Sequence, residues 1–125
     1  MPEDVYESDV SHYGLLHFRK RNMANITLNC VIIPTGGFIG IPINDVNLTV
    51  TIPLGNTVRN LHTQIQQQLP QQFRNVPFYL RALRPGLVNY VAMRQGGLIS
   101  DYFDGNPTAG VCHVLIEHDV YGYYD

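Results

Sequence analysis

The side chains of this 125-residue chain best suited to chemistry are five histidines, His12, His17, His62, His113 and His118, and two cysteines, Cys30 and Cys112. A metal site would need several of them at ligand spacing. No cysteine or carboxylate joins two of the histidines in that way, so no metal is expected. His113 and His118 stand five residues apart in what reads as a strand, which sends them to opposite sides of a sheet. A nucleophilic thiol would need exposure and a neighbouring base. Both cysteines fall instead at inward strand positions, where a small buried thiol is the usual occupant, so free thiols are expected. The glycines of "PTGGFIG" are not followed by a helix carrying Lys-Ser or Lys-Thr, so they do not make a phosphate-binding loop. No aromatic stacking motif accompanies the arginines, which argues against RNA. The expectation is a protein that is not an enzyme and has no cofactor.

Formal net charge is −2, too mild to imply nucleic acid or a membrane surface. Its distribution is uneven. Glu3, Asp4, Glu7 and Asp9 crowd the start, and Asp101, Asp104, Glu117, Asp119 and Asp125 the end. Between them Asp45 stands alone against Arg59, Arg74, Arg81, Arg84 and Arg94. Neutralisation within one fold is the simpler reading; an arginine-bearing face for an acidic partner is the sharper one. The start, "MPEDVYESDV", lacks the apolar stretch of a secretory signal, and no apolar run approaches the ~18 residues of a spanning helix. An intracellular protein is expected, cytoplasmic first, with nuclear or organellar assembly left open and thiols reduced.

Several elements must position these groups. Residues 1–23 show no sustained periodicity and read as an extension, loose or docked through Tyr6, Tyr13, Leu15, Leu16 and Phe18. "NITLNCVII" alternates, with Ile26, Leu28, Cys30 and Ile32 on one side, as a half-buried strand does. "NLTVTI" alternates again after the turn-rich "PTGG" and a wandering stretch, so the two strands form a hairpin with an enlarged connection. The period then changes. Val58, Leu61, Ile65 and Leu69 lay one apolar stripe down a helix, Asn56 is placed to cap it, and Pro70 ends it. "PFYLRAL" and "NYVAMR" read as two more strands, and "CHVLIEHDV" as a last one with Cys112, Val114 and Ile116 on one face and His113 and Leu115 on the other. The expected fold is α+β: a mixed sheet of four to five strands packed on one main helix, a β-grasp, with an N-terminal extension.

Two passages carry a family resemblance. "LTVTIPLGNTVRNLHTQIQ" is similar to the second strand and helix of ubiquitin, including Thr57-Val58 at the helix start and Leu61 and Ile65 on its buried face. "LISDYFDGNPTAGVCHVLIEH" resembles that family's Leu-Ser-Asp-Tyr corner and final strand. The resemblance spans roughly residues 25–118. It implies a ubiquitin-like domain over 24–119, a short tail at 120–125, and a structural role for Tyr102: its ring packs over the loop while its hydroxyl bonds nearby backbone. Departures matter too. The first hairpin connection and "RALRPGLVNYVAMRQGG" are longer than in ubiquitin, and the sequence ends "HDVYGYYD" where conjugation needs a diglycine, so no covalent conjugation is expected.

Members of that family bind partners through the open face of the sheet. Carried over, His113 and Leu115 fall on its outward side, Leu80 or Ala82 beside them, and Arg81 and Arg84 at the rim. A small apolar cluster with an arginine rim is how binding surfaces are built. With Leu15, Leu16 and Phe18 of the extension, these residues imply an adaptor or accessory subunit of a larger protein assembly. The alternative is a β-grasp module of the Ras-association type, holding an acidic GTPase surface through its arginines.

Overall fold

The computed structural model describes residues 24–83, 89–105 and 107–122, together with the backbone of two short strands, β1 (Tyr6–Asp9) and β2 (His17–Lys20). β1 and β2 pair antiparallel, Tyr6 opposite Lys20 and Asp9 opposite His17. Nothing in the sequence marks this ladder, because a run of four residues is too short for alternation to stand out.

The rest is built on a five-stranded sheet and one α-helix. β3 (Asn25–Ile32) and β4 (Asn47–Pro53) form the first hairpin, with Ile26 opposite Ile52 and Leu28 opposite Val50. α1 (Val58–Gln68) follows, then β5 (Phe78–Leu83), β6 (Tyr90–Ala92) and β7 (Val114–His118). Strand order across the sheet is β4-β3-β7-β5-β6. Every pairing is antiparallel except β3 with β7, which runs parallel with Cys30 beside Val114 and Ile32 beside Ile116. The last strand therefore lies at the centre, flanked on both sides.

Alternation decides which face is covered. Ile26, Leu28, Cys30 and Ile32 of β3, Val50 and Ile52 of β4, Phe78, Leu80 and Ala82 of β5, and Val114 and Ile116 of β7 are all buried. The stripe on α1 meets them: Val58, Leu61 and Ile65 are buried, as is Leu69 just past the helix end. One helix has one apolar stripe and can seal only one face of a sheet. The cap differs by one residue from the expected one. Thr57 holds the extended conformation before the helix, and its hydroxyl accepts the Asn60 N–H at 3.1 Å. Asn56 instead accepts the Thr57 N–H at 2.8 Å, so it braces the cap without being it. At the other end Leu69 is extended ahead of Pro70, and the Arg74 guanidinium donates to the Leu69 carbonyl at 2.9 Å.

The long connection from β3 to β4 is ordered by two 3-10 turns, Gly36–Phe38 and Ile43–Asp45. Phe38 drops into the core, its ring centre 6.2 Å from that of Phe73 and 6.3 Å from that of Phe78. The corner before the last strand is another such turn, Ile99–Asp101. Asp101 accepts the Leu98 N–H, and the Tyr102 hydroxyl accepts the Arg94 N–H, both at 2.9 Å. The Tyr102 ring lies half-buried against the core. The phenol thus ties the end of the β6 connection to the corner.

Two outcomes are expected of variants. Leu61→Ala removes a fully buried side chain and should cost about 2–5 kcal/mol in urea unfolding. Tyr102→Phe keeps the ring but loses the acceptor for Arg94 N–H, and should cost about 0.5–1.5 kcal/mol in the same experiment.

Candidate interaction face

The face of the sheet opposite the helix is assembled by register. Leu115 of β7 lies between Val31 of β3 and Arg81 of β5, and Arg81 lies beside Ala92 of β6. Val31, Leu115, Arg81 and Ala92 are half-buried, a shallow apolar row with one cation in it. Arg81 does not stand alone: its guanidinium reaches Glu117 at 2.9 Å, and the Tyr79 hydroxyl donates to the other oxygen of the same carboxylate. Tyr79 and Glu117 are direct cross-strand partners, with Arg81 one step along on the same side. Both ionic side chains keep contact with solvent, so the pair is worth at most about 1 kcal/mol, but it does neutralise the cation.

Several expected contact residues lie elsewhere. Leu80 and Ala82 face the helix and are buried, because β5 alternates with Phe78 inward. This corrects their placement on the open face. His113 is corrected as well. It precedes β7 and is only 3% exposed, with Nδ1 accepting the Asn29 N–H at 2.9 Å and Nε2 2.6 Å from the Thr108 carbonyl. The expected alternation assumed that the strand began at Cys112, whereas the ladder begins at Val114. Arg84, Leu15 and Leu16 lie outside the described residues, and of Phe18 only the backbone is described, opposite Ser8.

The other histidines are structural in their surroundings. The His62 ring stacks on Phe78 at 3.8 Å between centres, and its Nε2 lies 2.9 Å from the Phe78 carbonyl. A carbonyl only accepts, so Nε2 carries the hydrogen. Burial lowers the His62 pKa, with the nearby Arg59 charge adding to the effect against the Phe78 hydrogen bond. The His118 Nδ1 accepts the Gly37 N–H at 2.8 Å. Among the described residues no group of histidines, cysteines and carboxylates could hold a metal ion. Cys30 is a free thiol in the core, pushed up to about 12 by burial and then by Cys112.

Two shallow grooves open on the surface. One, of about 360 Å³, lies over Asn29, Asn47 and Val111; the other, of about 380 Å³, runs between Arg59 and His62 of the helix, Phe78, and Asp119. A surface feature without a sequence signal lies in the β3–β4 connection, where Ile39 and Ile43 are 70% and 78% exposed while Phe38 and Ile41 beside them are buried. Alternation in a loop means nothing until the anchors are known, so only the structure separates these four. No helix among the described residues is long and apolar enough to cross a membrane. No protein-family model, curated protein or solved structure matches this chain.

The lowered pKa of His62 fixes a sign. Its folded form resists protonation more than the unfolded chain does, so its contribution is complete above the ordinary histidine range and is lost as pH falls through it. An NMR titration should place the His62 midpoint below the usual value of 6.5.

Proposed function

We propose that the chain is a ubiquitin-like β-grasp domain acting without catalysis, as an adaptor or accessory subunit that binds protein partners through the open sheet face. The observation that carries this reading is the strand order β4-β3-β7-β5-β6 with a parallel central pair and a single helix between the second and third strands of the sheet. That order is the one a β-grasp requires. The Tyr102 hydrogen bond to backbone adds support, since the family resemblance implies it. The absence of reaction chemistry in the proposal rests on what the candidate groups are engaged in. Cys30 is buried and strongly disfavoured as a thiolate, and His62, His113 and His118 are each bonded to backbone.

On the open face, Leu115 and Val31 offer an apolar centre, and Arg81 is matched by Glu117. Binding through such a row draws on desolvation more than on charge. The acidic-partner alternative needs free arginines, and Arg81 and Arg74 are both engaged within the chain. The test is capture with the full-length tagged chain, read by mass spectrometry. A partner retained at about 0.5 M salt and lost with Leu115→Arg supports the proposal. Capture that survives Leu115→Arg, or that salt alone abolishes, overturns it in favour of another face or of the arginines.

A further inference from the structure

The two cysteines are nucleophiles that the proposed function leaves unused, and the fold brings them to one groove. Both are free thiols, Cys30 in β3 and Cys112 just ahead of β7. Three hydrogen bonds draw the chain around Cys112 onto Asn29, the residue before Cys30. The Asn29 carbonyl accepts the His113 N–H at 2.8 Å, and its own N–H donates to the His113 Nδ1 at 2.9 Å. Its side-chain amide donates to the Val111 carbonyl at 3.1 Å. Cys112 is thus bracketed, through both chain neighbours, against the residue next to Cys30. Its sulfur points the same way: Sγ lies 3.3 Å from the carbonyl of Val114, and Val114 is the cross-strand partner of Cys30. The groove of about 360 Å³ over Asn29 and Val111 is lined by both cysteines, with Asn47, Thr49 and Gly110 around them. After burial, Cys112 is the second cause that pushes the Cys30 thiol up, as a close sulfur in a dry site does.

We propose that Cys30 and Cys112 form a thiol–disulfide exchange site, which takes a small peptidic disulfide into this groove and ends as a Cys30–Cys112 disulfide. Exposure sets the order of events. Cys112 is half-buried and meets solvent, whereas Cys30 is 1% exposed and strongly disfavoured as a thiolate. The Cys112 thiolate therefore attacks one sulfur of the small disulfide, whose S–S bond breaks, and the departing thiolate takes a proton from water. This leaves a mixed disulfide at Cys112. Cys30 then gives its proton to solvent and attacks the Cys112 sulfur, expelling the second small thiol. Two protein thiols are oxidised and one small disulfide is reduced to two thiols, so that disulfide is itself the oxidant. The lining suits such a ligand, since Asn47 and Thr49 offer an uncharged amide and a hydroxyl to its peptide groups. Little holds the thiols back. Cys30 Sγ lies 3.8 Å from the Leu28 carbonyl and Cys112 Sγ bonds only the Val114 carbonyl, and thiols are weak donors. A bridge needs Cα atoms within about 7 Å. Because the ladder begins at Val114, the segment carrying Cys112 closes the remaining distance without breaking a strand pair.

The bridge staples β3 to the strand that completes the sheet. It closes most of the described chain into one loop, at the parallel pairing of β3 with β7. For a loop of that length, restriction of the unfolded chain raises the folding constant by up to about 1,000-fold, less whatever strain the bridge introduces. This property does not depend on the proposed partner binding.

The test incubates the folded full-length chain with oxidised glutathione, quenches with acid, alkylates in urea with N-ethylmaleimide and reads intact mass and peptide maps. The expected product is a single chain that lacks two hydrogens, carries neither glutathione nor an alkyl group, and gives a Cys30–Cys112 linked peptide that dithiothreitol splits. Cys30→Ala should stop at one glutathione on Cys112, and Cys112→Ala should take up none while folded. In urea unfolding, the bridged wild type should show a folding constant about 10- to 1,000-fold above that of the reduced protein. The wild-type reaction decides the matter even where a variant fails to fold. Glutathione left on Cys112 with Cys30 alkylated overturns the exchange site, as does a disulfide between two chains or a chain that stays reduced. A bridged protein that unfolds in less urea than the reduced one overturns the staple.

Discussion

The structure depends on the parallel contact between β3 and β7. It joins the first and last strands of the sheet, and everything apolar is organised about it. Parallel strands need cover, because slanted hydrogen bonds and continuous apolar side chains tolerate water poorly. Here the cover is α1, which spends its single stripe of Val58, Leu61 and Ile65 on the inward row of both strands. Antiparallel partners on each side, β4 and β5, then shield the central pair laterally. Burying Ile26, Leu28, Ile32, Val114 and Ile116 in one layer contributes about 1.5–3 kcal/mol per side chain, which no surface ion pair approaches.

Much of this was legible because its signals are local and periodic. The helix announced itself through spacings of three and four among Val58, Leu61, Ile65 and Leu69, and all four are buried. Alternation placed Cys30 inward and Leu115 outward for the same reason. What failed to show were features that depend on where an element starts. A one-residue shift in the cap moved the role from Asn56 to Thr57. A start at Val114 instead of Cys112 took His113 out of the strand and turned its ring toward β3. In β5 the reverse phase won: burial of Phe78 obliges Leu80 and Ala82 to follow it inward, leaving Tyr79 and Arg81 for the open side. The open face was thus foreseen as a surface but misread in half of its members.

The charge asymmetry resolves in the same frame. Arginines gather in the middle of the chain and acids at its end, and the sheet brings the two together because β5 lies beside β7. Arg81 meeting Glu117 is that neutralisation at one point. Arg74 spends its guanidinium on helix-end carbonyls instead. The histidines follow a similar economy: each described imidazole serves a backbone group that the fold would otherwise leave unpaired or wet.

A chain whose first and last sheet strands must meet cannot complete its interior early. The Asn29–His113 bond spans 84 positions, and the ladder beside it spans as many. The β3–β4 hairpin and α1 can gather as soon as they leave the ribosome, since their contacts are local. Their oily undersides then wait, uncovered on one flank, until β7 has been made. Loop closure of that reach delays collapse to the native arrangement. The interval is when the nascent protein is most open to wrong associations, and it ends only when Val114 and Ile116 slide between strands already in place.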